Sequence, residues 1–159
     1  MSTEQTVCPL NRHVLIAVDG SENSDRAVAY MVCMLGNVSG VQVTLLNIIS
    51  IPPEDYFHTP EEESKWIEEH EHASIAAVRR HTEQLVAGGI PVASIAPVIR
   101  QGRFRSIAET ILDELRKSGA GTIVVGRRGI SRKEEFIYGS TSSKLLHAIK
   151  ASAAMWVVE

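Results

Sequence analysis

The stretch that decides the fold is HVLIAVDGS, residues 13–21. Six consecutive positions from His13 to Val18 are almost wholly apolar and four of them are β-branched or bulky aliphatic. The run is too short for a helix and shows no alternation of polar and apolar residues. It therefore predicts a strand covered on both faces, as in a parallel sheet. Asp19-Gly20-Ser21 ends it, and Ser21 or Asn23 supplies a cap for a following helix.

Outward from this point the pattern repeats. Ala27, Met31, Met34 and Leu35 recur at helical spacing up to Gly36. A second strand is expected over Val41 to Ile49 and ends at Ile51-Pro52-Pro53. A long helix follows, from about Thr59 to Ala87. Pro60 and the acids Glu61, Glu62 and Glu63 suit its first turn, where negative charge opposes the helix dipole. Trp66, Ile67, Ala73, Ile75, Ala76, Val78 and Leu85 are its apolar positions, with an imperfect period, and Gly88-Gly89 stops it. A third strand, about Val92 to Arg100, contains Pro97 and is expected at a sheet edge. A third helix over Arg103 to Lys117 turns Ile107, Ile111, Leu112 and Leu115 inward and ends at Gly119. The fourth strand is Thr122 to Val125. A polar loop, Gly126 to Tyr138, leads to a fourth helix, Gly139 to Lys150, and the last strand is Ala154 to Val158. This alternation predicts an α/β fold: a Rossmann-like three-layer α/β/α sandwich with a five-stranded parallel sheet and four main helices. Residues 1–11 are expected to be a flexible tail and residues 12–159 one domain.

The chain has 159 residues, 44% hydrophobic and 22% charged, with a formal net charge of −3. One domain of this size can bury a core without disulfides or metal. The slight negative charge and the 5% aromatic content argue against a nucleic-acid surface. Cys8 and Cys33 form no disulfide or zinc pattern, and Cys33, in an apolar helical run, is expected to be an inert core thiol. Met1 to Pro9 lacks the pattern of a signal peptide, and no apolar run approaches a membrane span. A cytoplasmic location is the expectation.

The chemistry is expected in the loop after the fourth strand. Gly126-Arg-Arg-Gly129 is followed by nine residues and then Gly139-Ser140-Thr141. The glycines permit a sharp turn and close backbone approach. The start of the fourth helix adds free N–H groups, hydroxyls and a positive dipole end, which together suit an anion. A Ser/Thr start is also an ordinary helix cap, so spacing alone leaves phosphate binding and capping equally open. Asp19, at the end of the first strand, is placed to accept hydrogen bonds from a ribose or a base.

The spacing Gly126-x2-Gly129-x9-Gly139-Ser140 resembles the nucleotide motif of the universal stress protein family. Val14 to Ser21 resembles that family's first strand and Ala154 to Val158 its last, and the likeness extends over about Arg12 to Glu159. The resemblance implies a Rossmann-like fold with a parallel five-stranded sheet, and ATP (or ADP or AMP) as ligand, with Mg2+ on the phosphates. Carried over by position, it places Gly126, Arg128 and Gly129 at the ribose and first phosphates, and Gly139, Ser140 and Thr141 at the outer phosphates. Val18 and Asp19 meet the nucleoside, and Ile48 and Val125 the adenine. It also implies a homodimer through Ala154 to Val158. The insert between the glycines carries Glu134 and Glu135 as well as Arg132 and Lys133, and is more charged than is usual in the family. That composition, with the acidic long helix, motivates an alternative: a protein-interaction module of the same fold without nucleotide. A weak ATPase is a third reading.

Other signatures are absent. There is no Gly-x4-Gly-Lys-Ser/Thr loop and no Gly-x-Gly-x2-Gly after the first strand. His58, His70, His72 and His81 lie among glutamates and are expected on a solvated surface rather than around a metal. Trp66 and Trp156 are expected to pack, and Ser140 has no sequence context for nucleophilic catalysis.

Overall fold

The computed structural model describes residues 11–126, 141–149 and 153–159. The strands are β1 (His13–Val18), β2 (Gln42–Ser50), β3 (Ile95–Gly102), β4 (Thr122–Gly126) and β5 (Ala154–Val158). The helices are α1 (Glu22–Leu35), α2 (Pro60–Ala87), α3 (Ile107–Ser118) and α4 (Thr141–Ile149), with single 3-10 turns at Glu54–Tyr56 and Val92–Ser94. The five strands form one sheet in the order β3-β2-β1-β4-β5. Every pairing is parallel. β1 is central, and its side chains from Val14 to Val18 are buried, as a strand covered on both faces requires.

Two apolar layers sandwich the sheet. Val14, Ile16 and Val18 face α1 and α2, packing with Ala27, Val28, Met31, Val78 and Leu85. Leu15 and Ala17 face the other way, toward Ile107, Ile111, Leu112 and Leu115 of α3 and Leu145 and Ile149 of α4. Capping sets the helix starts. The Ser21 hydroxyl accepts from the Ser24 N–H at α1, Thr59 from Glu62 at α2, and Ser106 from Glu109 at α3.

Several boundaries and environments differ from the sequence expectation. α3 begins at Ile107, not Arg103, because Ser106 is the cap. β3 begins at Ile95, since Val92–Ser94 forms a 3-10 turn after Pro91. β3 does lie at the sheet edge, where Pro97 removes no needed donor. Cys33 is exposed rather than a core thiol. Met34 is exposed as well, because the buried stripe of α1 runs through Ser24, Ala27, Val28 and Met31. His81 is fully buried, not solvated. The expected tail, apart from Asn11, lies outside the described residues. No helix among the described residues is long and apolar enough to cross a membrane.

α1 and α2 meet tightly at their carboxyl ends. A Cβ on Gly36 would lie 2.2 Å from the carbonyl oxygen of Gly88, and one on Gly88 would lie 2.0 Å from Val32 Cγ1. Neither position has room for a side chain. The Gly88-Gly89 pair thus does more than end a helix.

Candidate functional site

Because β1 is followed by β2 on one side and flanked by β4 on the other, the chain reverses its winding between β1 and β4. Ligands of open α/β sheets bind outside the carboxyl ends of the strands near such a point. Val14 pairs with Thr122 and Ile16 with Val124, so Val125 and Gly126 end alongside the end of β1. Val18, Val125 and Gly126 are buried there, and Thr141, the first residue of α4, is also buried. A Cβ on Gly126 would lie 3.1 Å from both Cβ and the carbonyl oxygen of Asn23. The glycine lets the first turn of α1 pack directly on the end of β4. Arg128, Gly129, Gly139 and Ser140 lie outside the described residues.

A cleft of about 610 Å³ opens at the carboxyl ends of β1 and β2, on the β2 side of the reversal point. Asp19 and Gly20 form one rim, and Asn47 to Ser50 the floor. One wall is the flank of α2, including Trp66, His70, Ala73, Ser74 and Arg80; Ile107, the first residue of α3, closes another side. Of the residues expected at the site, Asp19 and Ile48 line this cleft. Val18, Val125 and Gly126 lie at the adjacent β1–β4 boundary.

Asp19 is held rigidly. Its Oδ1 accepts from the Ser21 N–H at 2.9 Å and from the Ser24 hydroxyl at 2.7 Å, while its own N–H donates to Ser24 Oγ at 2.9 Å. This turn needs Gly20, whose φ is +81°, a conformation that side-chain-bearing residues rarely adopt. Gly20 also admits α2, since a Cβ there would lie 3.3 Å from Ala77 Cβ. Below the cleft, the buried Asn47 amide donates to the Val18 carbonyl at 3.1 Å and accepts from Ser74 Oγ at 2.6 Å. One side chain thereby ties β2 to β1 and α2. Arg80 bonds the Gly20 carbonyl at 3.1 Å and the Asp25 carboxylate at 2.9 Å, fixing α2 against the turn.

Behind Arg80 lies His81. Its Nδ1 is 3.4 Å from Gln84 Oε1 and 3.7 Å from Asp25 Oδ1, both acceptors, so Nδ1 carries the proton. Nε2 is buried with no hydrogen-bond partner among the described residues. Loss of hydration pushes the His81 pKa below the usual imidazole value; Gln84 and Asp25 only partly oppose this, and Arg80 adds to it. His81 is a neutral packing residue at neutral pH.

On the α2 wall, the Trp66 and His70 rings stack with centroids 3.6 Å apart and planes 18° from parallel. Phe57 meets the Trp66 ring at 6.1 Å, and Tyr56 meets Phe57 at 5.0 Å, both edge-on. Arg103 anchors this end of α2 by bonding the Pro52 carbonyl at 3.0 Å and pairing with Glu63. The sequence reading missed Asn47, Ser74, Trp66, His70 and Arg80 as cleft residues. Two signals were present: an asparagine inside the apolar run Val43 to Ile49, and an aromatic pair at i, i+4 on one helix face. No cluster of metal-ligating side chains exists among the described residues.

The sequence model of the universal stress protein family matches residues 11–157. The chain belongs to that family. Its fold is shared by universal stress protein UspA from Lactobacillus plantarum, at 19% identity and TM-score 0.71, over 92% of this chain and 97% of that one. A universal stress protein in complex with cAMP is similar at 19% identity and TM-score 0.67, over 92% and 96% of the two chains. The universal stress protein from Archaeoglobus fulgidus in complex with dAMP is similar at 14% identity and TM-score 0.61, over 94% and 99%. No curated protein sequence matches the chain.

Proposed function

We propose that this chain is a cytoplasmic stress-response or regulatory protein that binds an adenine nucleotide, ATP first among them, and acts through occupancy rather than turnover. The observation that carries the reading is the cleft at the carboxyl ends of β1 and β2, whose rim at Asp19 adjoins the buried end of β4 at Gly126. Its volume falls within the range of about 300–1,000 Å³ usual for small-molecule sites. Two relatives of the same fold are complexes with cAMP and dAMP. In this reading the nucleoside occupies the cleft beside Asp19 and Ile48. Val18 and Val125 support it from below. The phosphates run past Gly126 toward Arg128, Gly129, Gly139, Ser140 and Thr141, and Mg2+ comes with them. Close packing of Gly126 on Asn23 leaves that strand end bare of side chain, which fits a backbone cradle.

Calorimetric titration with Mg-ATP tests the reading. Saturable binding is the expected result, and no heat at millimolar nucleotide would overturn it. Any phosphate release is expected to be slow and to disappear in Gly129→Val. Release that survives this substitution would come from a contaminant.

The second proposal is a homodimer through β5. This strand is the free edge of the sheet beside β4, and Val157 is 47% exposed on it. Trp156 packs edge-on against Tyr30, itself 44% exposed, at 5.7 Å, which extends the apolar surface onto α1. An apolar edge of this kind invites pairing or cover. Light scattering at micromolar concentration should give twice the chain mass; a monomer there would defeat the proposal.

A further inference from the structure

We infer that the stacked pair Trp66–His70 is the base-selecting wall of the cleft, with His70 Nε2 accepting a hydrogen bond from the exocyclic amino group of a 6-aminopurine. The inference rests on the preceding reading that a nucleoside occupies this cleft. It adds which residues choose the base and by what chemistry.

The wall is built and braced. Phe57 supports Trp66 edge-on, and Trp66 carries His70 on its face. His70 Nδ1 lies 2.7 Å from the Trp66 carbonyl oxygen. A carbonyl can only accept, so Nδ1 is the donor. In the neutral ring this leaves Nε2 with a lone pair and no hydrogen. One backbone contact therefore fixes both the orientation of the imidazole and its tautomer.

The rest of the cleft offers less for telling bases apart. Ile48, Ile49 and Ile107 give apolar contact, which accepts any planar base. Asn47 and Ser74 are engaged with each other and with the Val18 carbonyl. Asp19 accepts from Ser21 and Ser24, Arg80 is bonded to the Gly20 carbonyl and Asp25, and the Ser50 hydroxyl can donate as well as accept, so it suits either kind of base. Among the lining side chains, the acceptor with a fixed tautomer is the one on the wall. A 6-amino group donates to Nε2. A 6-oxo group would set one lone pair against another, and a site shaped for a donor rejects the analogue that lacks it.

A purely structural role for the pair predicts something different. An aromatic stack at i, i+4 would add slightly to helix stability and leave base preference untouched. The two roles separate in a comparison of ATP with ITP, measured by calorimetry. Wild type should bind ATP at least about tenfold more tightly than ITP. His70→Phe keeps a ring against Trp66 but removes Nε2, and should bring the ratio near unity. Trp66→Leu should weaken both ligands. An ATP/ITP ratio unchanged in His70→Phe would overturn the inference while leaving nucleotide binding intact. No binding of either nucleotide by wild type would overturn the underlying reading and this inference with it. Location is checked in Trp156→Phe, where Trp66 is the remaining tryptophan. Saturating ATP should change its emission, and unchanged emission would place the base elsewhere and overturn the inference alone.

Discussion

The two halves of α2 are built on different principles. From Ser74 onward the helix buries Ser74, Ala77, Val78, His81 and Leu85, a stripe at helical spacing against β2 and α1. From Pro60 to Ala73 it buries nothing. Length explains the split. The 28 residues of α2 span about 42 Å at 1.5 Å each. The nine residues of β2 reach only about 30 Å at 3.3 Å each. The helix overshoots the sheet, and the overshoot carries the aromatic end of the cleft wall, which continues through Ser74 to Arg80. The lower half carries stability, whereas the upper half carries surface and the aromatic rings that border the cleft. Substitutions should therefore cost much below Ser74 and little above it.

The largest effect is expected at the lower end. Ala at Gly36 would place a Cβ 2.2 Å from a backbone oxygen of Gly88, which cannot rotate away. Gly36→Ala is predicted to destabilise by about 3 kcal/mol, the upper part of the range for overpacking. Urea denaturation measures it. Elsewhere in a helix the same change is neutral or mildly stabilising, so an unchanged midpoint would show that this contact is not tight.

Next comes the junction. Asn47→Leu would leave the Val18 carbonyl and the Ser74 hydroxyl without their partner in a buried place. A loss of about 2 kcal/mol is predicted, the usual cost of stranding such groups. Adding Ser74→Ala should cost less than its separate effect, because the hydroxyl has already lost its partner. Full additivity in the double mutant would mean that the two side chains do not act as one tie.

How much of this was legible in the sequence follows from the same division. β1 was readable because both its faces are covered, so five apolar residues, Val14 to Val18, stand in a row. The order of elements followed from local chemistry, as did the cap at Ser21, one of two residues expected there. The long helix was recognisable, yet its period was imperfect, and the reason now is plain. Trp66, Ile67 and Ala73 belong to a half that does not face the core, and Ile75 points away from it. They were counted with Val78 and Leu85, which do. His81 was misjudged because its neighbours in sequence are polar, whereas its neighbours in space are α1 and the Asp25–Arg80 pair. Burial of a histidine depends on a partner helix distant in the chain. Of the candidate site, the expectation named Asp19 and Ile48, which line the cleft at the strand ends beside β1. Its α2 wall depends on how far the helix overshoots, which no local pattern encodes.

His81 gives the third prediction. Its pKa is lowered in the fold by burial. Between that lowered value and about 6.5, the unfolded chain binds the proton and the folded chain does not. Stability is therefore full above pH about 6.5 and declines as pH falls through this window. His13, whose pKa burial also lowers, contributes in the same direction from the other end of the domain. His81→Phe should flatten the decline without abolishing it. Denaturant midpoints at several pH values test this, and an unchanged slope would mean that Nε2 is hydrated in solution.

The smallest effect belongs to the upper half. Lys65 and Glu69 form an i, i+4 pair at 3.9 Å with both side chains largely exposed. Such pairs contribute about 0.5 kcal/mol or less and are screened by salt. Lys65→Ala is predicted to leave the urea midpoint nearly unchanged. The same half should also exchange its amide hydrogens faster than residues 74–87, since little packing opposes local opening. Arg103, bonded to Glu63 and to the Pro52 carbonyl, limits that opening at the far end. Arg103→Ala should then speed exchange over residues 60–73 and spare the lower half. If exchange quickens equally along the whole helix, α2 opens as one unit, and the division between a stabilising half and an overshooting half does not hold.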